Sequence, residues 1–144
     1  MQECRIVAYQ SPEYEQQVQL RYDVLRAPLG LRFTPEYLQK DEKDVLFGCF
    51  LDGELIGCCQ LTVMGEGVYQ LRQMAVAPDM QGRNVGTELV AFLENYVTKI
   101  TGKKIVLHAR QVALGFYKKL GYRMVGEEFE EVGIPHYAME KTLL

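Results

Sequence analysis

Several features are scarce or missing in this 144-residue sequence, which has no tryptophan, two histidines and no long uninterrupted apolar run. A bilayer-spanning helix needs about 20 mostly apolar residues, so we expect no membrane span. The first residues do not form the basic and then apolar pattern of a secretory signal. We therefore expect a cytoplasmic protein without a membrane partner.

An excess of basic residues is also missing. Lysine and arginine number 16 against 19 acidic residues, which gives a formal net charge of −3, and the two signs are interspersed. A nucleic-acid-binding surface needs clustered basic charge, so we do not expect nucleic acid as a partner. Any basic residue with a functional role should act locally, beside a phosphate.

The four cysteines have neither the spacing of a metal site nor that of a redox pair. Cys58 and Cys59 are adjacent, so they should face opposite sides of a strand. We interpret Cys4, Cys49 and these two residues as buried free thiols in a reducing compartment, and we expect no metal.

The composition that remains is typical of a globular domain. Hydrophobic residues make up 48% and charged residues 24%, without a low-complexity segment. A chain of this length buries roughly two-thirds of its unfolded surface on folding. Residues 1–144 are therefore expected to form a single domain.

Hydrophobic periodicity switches several times between the spacing of strands and that of helices. Strands are predicted at residues 3–9, in two runs within 45–64, and at 68–76, 104–109, 122–126 and 136–141. Helices are predicted at residues 12–26, at 34–38, from the loop after Pro78 to residue 100, and at 111–120. The dipeptide Asp52-Gly53 is typical of a hairpin, so the strands on either side of it should be antiparallel. The pattern predicts an α/β fold with a mixed sheet covered by helices.

One stretch combines a strand, a glycine-containing loop and a helix. It reads YQLRQMAVAP at residues 69–78, MQGRNVG at 80–86 and TELVAFLENY at 87–96. The first N–H groups of a helix lack intrahelical partners and lie at the positive end of its dipole, so they favour a phosphate. Glycine lets a ligand approach the backbone. The alternative is an ordinary strand-turn-helix corner.

Three separated motifs bear on this choice. QGRNVG at residues 81–86 follows a strand that ends in VAP, ALGFYKKLGY occupies 113–122, and GIPHYAMEK occupies 133–141. The first resembles the coenzyme-loop signature of the GNAT superfamily of N-acetyltransferases, and the second is similar to that superfamily's A-x-x-F-Y-x-K-x-G-F segment. The third resembles a tail found in one large bacterial branch. In this order, the motifs extend the resemblance over nearly the whole chain.

The resemblance implies the GNAT acyl-CoA N-acyltransferase fold, with about seven mostly antiparallel strands, a central parallel pair and about four flanking helices. It implies direct transfer of an acetyl group from acetyl-CoA to the primary amine of a small-molecule or peptide-like acceptor. A catalytically silent acyl-CoA-binding sensor or interaction module is the alternative, because a fold alone does not establish activity. A P-loop nucleotide site is disfavoured, since no lysine follows Gly86. The acceptor and the oligomeric state stay open, a homodimer included.

The resemblance also assigns coenzyme-binding residues. The strand at residues 74–76 is expected to diverge from its neighbour and pair with the pantetheine arm. Asn84 stands where the signature prefers glycine, and we expect it to keep the loop shape with a positive φ and to cap the helix. Arg83 should project toward phosphate, with a solvated surface position as the alternative. The full set is Met74, Ala75, Val76, Gln81, Gly82, Arg83, Asn84, Val85, Gly86, Thr87, Phe116 and Lys119.

Tyr117 occupies the position where the superfamily usually places a tyrosine that hydrogen-bonds the coenzyme sulfur and acts as general acid. The alternative is that its ring only packs against the sheet. The general base is harder to assign, because the strand at residues 68–76 offers no carboxylate. His136 is the preferred histidine, since imidazole titrates near neutrality. A structural His136, an ordered water, His108, the pair Glu130-Glu131 and the absence of a dedicated base all remain alternatives.

Three arginines are candidates for binding the acceptor. Arg26, Arg72 and Arg110 would serve this role if the acceptor carries a carboxylate or a phosphate, because guanidinium groups bind both oxyanions bidentately. Each is equally compatible with a surface ion pair of small energetic consequence.

Overall fold

The computed structural model describes residues 2–143, which form eight strands and four α-helices. The strands are β1 (Gln2–Val7), β2 (Val45–Leu51), β3 (Glu54–Gly65), β4 (Val68–Val76), β5 (Lys104–Arg110), β6 (Arg123–Met124), β7 (Phe129–Glu131) and β8 (Ile134–Thr142). The helices are α1 (Pro12–Arg21), α2 (Pro35–Gln39), α3 (Val85–Lys99) and α4 (Leu114–Lys119).

All eight strands belong to one sheet with the order β1-β2-β3-β4-β5-β8-β6, and β7 pairs with β8. The pair β4–β5 is parallel, whereas the other described pairs are antiparallel. Cys58 packs in the core cluster that includes α1, and Cys59 packs in the cluster that includes α3. Helices therefore cover both faces, and the predicted mixed α/β sheet with a central parallel pair is confirmed.

Strand β7 was not predicted from the sequence. Its residues lie in a polar segment without alternation, and it is three residues long, so it has no periodic signal of its own. It forms by pairing with β8 through a tight turn in which Val132 and Gly133 have φ of 47° and 78°. Positive φ at both central residues is the geometry of a two-residue hairpin turn. A valine is sterically disfavoured there, so this turn is strained.

The first helix is built as predicted at its start but not at its end. The Ser11 side chain accepts a hydrogen bond from the Tyr14 N–H, and Pro12 takes the first helical position. The α-helix ends at Arg21, and residues Tyr22–Arg26 continue as a π-helical turn. The wider turn changes the direction of the following side chains. As a result, Val24, Leu25 and Arg26 line the cavity that lies where β4 and β5 separate.

Helix α3 packs on the sheet through one apolar face, as its periodicity predicts. The fully buried residues on that face are Val85, Leu89, Val90, Leu93 and Val97. Gly57 on β3 permits this close approach, because a Cβ at that position would lie 2.6 Å from a methyl carbon of Val85. The start of α3 is thereby fixed relative to β3 and β4.

A buried ion pair ties α1 to the segment after α2. The Arg21 guanidinium donates to a carboxylate oxygen of Asp41 at 2.7 Å, and the two side chains are 0% and 3% exposed. Tyr14 Oη and Gln60 Nε2 donate to the same carboxylate at 2.7 and 2.9 Å. This network positions the helical segments that close one end of the cleft.

Among residues 2–143, no helix combines the length and the apolar character needed to cross a membrane.

Burial of the thiols raises their pKa values. Cys58 is completely buried, and desolvation raises the pKa of its thiol to about 12. In an unfolded chain, the pKa of a cysteine thiol is about 8.5. The native state therefore keeps this proton at a pH where the unfolded state loses it.

The free energy of unfolding is expected to fall as pH rises above about 8.5, because the unfolded state releases thiol protons that the native state retains. Between pH 8.5 and 10, Cys58 alone should lower the free energy of unfolding by roughly 1.5 kcal/mol. Urea unfolding at several pH values measures the slope, and Cys58→Ala should make it shallower. An unchanged slope in this variant would refute the assignment.

Candidate active site

The central cleft forms where the two parallel strands separate. β4 and β5 pair from Val68 with Lys104 to Leu71 with Leu107, and the register contains no pair beyond these residues. A cavity of about 870 Å³ lies at this divergence. The unpaired edge of β4 after Leu71 is one of its walls, and the described part of the chain therefore offers free backbone groups there.

A β-bulge changes the direction of β4 at this wall. Cys58 pairs with Ala75 and Gln60 pairs with Arg72, so two residues of β4 stand opposite Cys59 alone. Gln73, one of the two, has a φ of 58°. Bulges redirect side chains and increase local twist. This bulge helps β4 to turn away from β5 and to present residues 72–76 to the cleft.

The loop before α3 has the geometry of an anion-binding corner. Gly82 and Asn84 have φ of 85° and 62°. The first intrahelical bond runs from the Glu88 N–H to the Asn84 carbonyl, so the N–H groups of residues 85–87 precede the hydrogen-bonded ladder. These groups lie at the mouth of the cleft, where Val85, Gly86 and Thr87 contribute to its lining.

The prediction for Asn84 is correct for its backbone and wrong for its side chain. It takes the left-handed conformation, but its side chain makes no capping hydrogen bond in the described structure. A capping residue normally has an extended backbone that folds its side chain over the first turn, and the left-handed conformation does not. The first N–H groups of α3 consequently remain available to a ligand.

Most of the residues predicted to bind coenzyme line the cleft or its mouth. Arg83 and Lys119 do not belong to the lining, and both are exposed. Gly86 lies against the ring of Phe116, since a Cβ there would be 3.0 Å from the ring. The predicted residues found in the lining are Met74, Ala75, Val76, Gln81, Gly82, Asn84, Val85, Gly86, Thr87 and Phe116.

Tyr117 projects from α4 into the cleft, and it is 6% exposed. Its ring packs edge-on against Phe116 and Tyr122, with centroids 4.9 and 5.8 Å away. Burial raises the pKa of the phenol above its usual range. Among residues 2–143 the hydroxyl has no hydrogen-bond partner, so a neutral O–H is available to a ligand.

His136 is buried at one end of the cleft. Its Nδ1 lies 3.0 Å from the Ile134 carbonyl oxygen, and its Nε2 lies 3.6 Å from a carboxylate oxygen of Glu131. The other carboxylate oxygen of Glu131 lies 3.0 Å from Nδ1 of His108. A donor role for Nδ1 leaves Nε2 as the proton acceptor of a neutral ring. The backbone contact expected of a structural His136 is present, together with a carboxylate that can stabilise its charged form.

The three predicted arginines are brought together at this same end. Arg26 and Arg72 donate to the Tyr37 hydroxyl oxygen at 3.3 and 3.0 Å. Arg110 donates to the Leu25 carbonyl at 3.3 Å. All four side chains line the cleft. Tyr37 was not identified from the sequence, because its partners are 11 and 35 residues away and only the fold joins them.

Comparison with known proteins decides the family. A family model described as an acetyltransferase (GNAT) domain matches residues 24–143. The chain belongs to the GNAT family of acetyltransferases. The match spans the cleft, the loop before α3 and the helix that carries Tyr117, and it confirms the resemblance found in the three motifs.

Relatives of similar length share this GNAT domain. YitI, an uncharacterized N-acetyltransferase of Bacillus subtilis (strain 168), is 26% identical over 136 residues, covering 90% of this chain and 91% of that protein. A Lactobacillus plantarum protein assigned as an N-acetyltransferase has a TM-score of 0.87 at 22% identity, over 99% of both chains. An aminoglycoside 6′-N-acetyltransferase complexed with coenzyme A has a TM-score of 0.79 at 19% identity, over 99% of this chain and 97% of that one. At such identities, the solved structures establish a common fold.

The GNAT cleft of this chain is poor in acidic groups. On β4, the side chains that line the cleft include Gln70, Arg72 and Gln73, none of which carries a carboxylate. Within residues 2–143, Glu131 is the acidic residue of the lining. The nearest carboxylate to a candidate base therefore comes from the β7–β8 hairpin, which the sequence did not predict.

One cluster outside the cleft also escaped prediction from sequence spacing. Cys4 and Cys49 face each other on β1 and β2, and with Glu88 their ligand atoms lie within 4.8 Å of one another. Burial raises the pKa of the Cys4 thiol to about 12. Metal binding and disulfide exchange both require a thiolate. All four cysteines are free thiols as expected, but Cys4 is half-buried and not buried as the sequence had suggested.

Proposed function

We propose that residues 1–144 form one acetyltransferase domain that moves an acetyl group from acetyl-CoA directly to the primary amine of a small-molecule or peptide-like acceptor. The observation that carries this proposal is the cleft itself. It combines a free strand edge, unpaired N–H groups at a helix start and a buried tyrosine hydroxyl in one cavity. These are the three kinds of group that pantetheine, pyrophosphate and a leaving thiolate require.

Acetyl-CoA fits this arrangement from end to end. The pantetheine amides would pair with the β4 edge at residues 74–76 as an added strand. The pyrophosphate would accept hydrogen bonds from the loop and from residues 85–87, and open space around the missing Cβ of Gly82 permits close approach. A related aminoglycoside 6′-N-acetyltransferase has been crystallised with coenzyme A, which supports the same cosubstrate here. Exposed Arg83 and Lys119 are proposed to contact the part of the coenzyme outside the cleft.

The residues of the cleft account for each proton in the reaction. The neutral amine attacks the thioester carbonyl, a C–N bond forms and the C–S bond breaks. Tyr117 gives its proton to the departing thiolate and is reprotonated from solvent. His136 accepts the amine proton through Nε2, directly or through a water, and Glu131 stabilises the resulting imidazolium. The Glu131 carboxylate is 46% exposed, so solvent can take the proton from the imidazolium after transfer.

Binding and turnover test the proposal separately. Acetyl-CoA should raise the melting temperature of the protein and ATP should not, because only a ligand of the native state stabilises it. With a panel of primary amines, CoA release should match the mass gain of the acceptor, and the intact mass of the protein should stay unchanged. Tight acetyl-CoA binding without acetylation of any amine would instead support a silent binding module.

A further inference from the structure

The end of the cleft that holds His136 carries positive charge without an internal counter-charge. Arg26, Arg72 and Arg110 all line it, and none of them has a carboxylate partner among the described residues. Glu131, the acidic residue in that lining, is engaged by His108 and His136. Elsewhere in the described chain, buried Arg21 and surface Arg123 each pair with an acid. Exposed Arg32 and Arg83 also lack an acid partner among the described residues, whereas the three cleft arginines lack one although they are half-buried.

The hydrogen bonds around Tyr37 also indicate unused donors. Its hydroxyl oxygen accepts hydrogen bonds from the side-chain N–H groups of Arg26 at 3.3 Å, Arg72 at 3.0 Å and Gln73 at 2.7 Å. A phenol oxygen has two lone pairs, so three N–H donors exceed its capacity. Each guanidinium also has further N–H groups in a planar fork. The site consequently holds more donors than the protein supplies acceptors for.

These donors are held in place by their surroundings. The Arg26 guanidinium lies 4.8 Å from the Phe33 ring centroid and 5.2 Å from that of Tyr37. Arg72 and Gln73 sit at the β4 bulge, and Arg26 ends the π-helical turn. All are half-buried, so an ion pair formed there is less screened than one on the open surface. The arrangement is oriented before any ligand binds.

On the basis of the proposed acetyltransferase function, we propose that the acceptor is an acidic amine whose oxyanion, a carboxylate or a phosphate, binds between Arg26 and Arg72 beside Tyr37. Oxyanions have the lone pairs that this set of donors lacks, and guanidinium groups bind them bidentately. Arg110, which donates to the carbonyl of Leu25 next to Arg26, adds further positive charge to the same lining. A polycationic acceptor such as an aminoglycoside is disfavoured by the same charges, despite the shared fold with an aminoglycoside enzyme.

Matched acceptors test this specificity. Phenylalanine is compared with phenylalanine amide, 2-aminoethylphosphonate with ethanolamine, and spermidine with an aminoglycoside, at constant acetyl-CoA. We expect kcat/KM to be at least about tenfold higher for the acidic member of each of the first two pairs, and we expect the polycations to be poor acceptors. The preferred acid then distinguishes a carboxylate from a phosphate-like group.

Amino-acid substitutions test whether Arg26 and Arg72 cause the preference for acidic acceptors. Arg72→Gln and Arg26→Gln should each raise the KM of the acidic acceptor about 10- to 100-fold, with little change for the amide and for acetyl-CoA. Arg123→Gln, which removes the same side chain from the surface, should leave all values unchanged. Arg72→Lys should keep part of the preference, because lysine retains the positive charge but lacks the planar fork of N–H donors.

Two results would overturn the inference while leaving the proposed function intact: equal use of acids and amides, or a preference that survives loss of both arginines. If no amine is acetylated, the proposed function fails, and titration of the same acids by NMR still tests the site. Chemical-shift changes at Arg26 and Arg72 that the amides do not cause would support an acid-binding site. Their absence would refute it.

Discussion

Replacement of Tyr117 by phenylalanine is expected to lower kcat by about 10²- to 10⁴-fold, the usual contribution of a positioned general acid. The ring that packs against Phe116 and Tyr122 is retained, so folding and coenzyme binding should change little. Steady-state kinetics with the best acceptor measure kcat, and calorimetric titration measures the Kd for acetyl-CoA. The hydroxyl acts on the leaving thiolate, so KM should move less than kcat.

Tyr122→Phe provides the matched control. Tyr122 is buried next to Tyr117, but its hydroxyl donates to Glu94 at 2.9 Å and does not line the cleft. Its loss should cost about 1 kcal/mol of stability and leave kcat unchanged. Full turnover by the Tyr117 variant with every accepted amine would show that this tyrosine only packs.

Asp41→Ala is expected to reduce the free energy of unfolding by about 3–5 kcal/mol, because it leaves the Arg21 guanidinium buried without a counter-charge. Arg21 is 0% exposed, and two of its nitrogens already lack hydrogen-bond partners in the described structure. Denaturant unfolding measures the loss. The double variant Arg21→Met, Asp41→Leu should recover much of it, since neither charge then remains buried.

Asp44→Ala is the control for the loss of a carboxylate. Asp44 accepts from Gln60 and Thr62 at 2.7 and 3.0 Å and is half-buried, with no buried arginine as partner. Its removal should cost about 1 kcal/mol. Equal losses for the two aspartate variants would contradict the role given to the Arg21–Asp41 pair.

The parts of the fold that sequence predicted are those with local signals. The apolar face of α3 repeats at helical spacing, and the positive φ of Asn84 follows from the tolerance of asparagine for that conformation. Asp52-Gly53 marked the β2–β3 hairpin because such dipeptides adopt its turn. Each of these predictions depends on a few neighbouring residues.

The parts that sequence missed depend on contacts between distant residues. β7 is a strand only because β8 lies beside it, and the Tyr37 hydroxyl accepts hydrogen bonds from Arg26 on the π-helical turn and from Arg72 and Gln73 on β4. Arg21 is buried in α1 with Asp41 as its partner, although the two residues are 20 positions apart in the sequence. Such pairings leave no periodic trace in the sequence. The motifs therefore indicated the coenzyme half of the cleft better than the acceptor half.

A crystal structure with coenzyme A bound tests the central claim most directly. We expect pantetheine along β4, pyrophosphate oxygens on the N–H groups of residues 85–87, and the coenzyme sulfur within about 3.5 Å of the Tyr117 hydroxyl. A coenzyme bound outside the β4–β5 cleft, or one whose sulfur faces away from Tyr117, would contradict it.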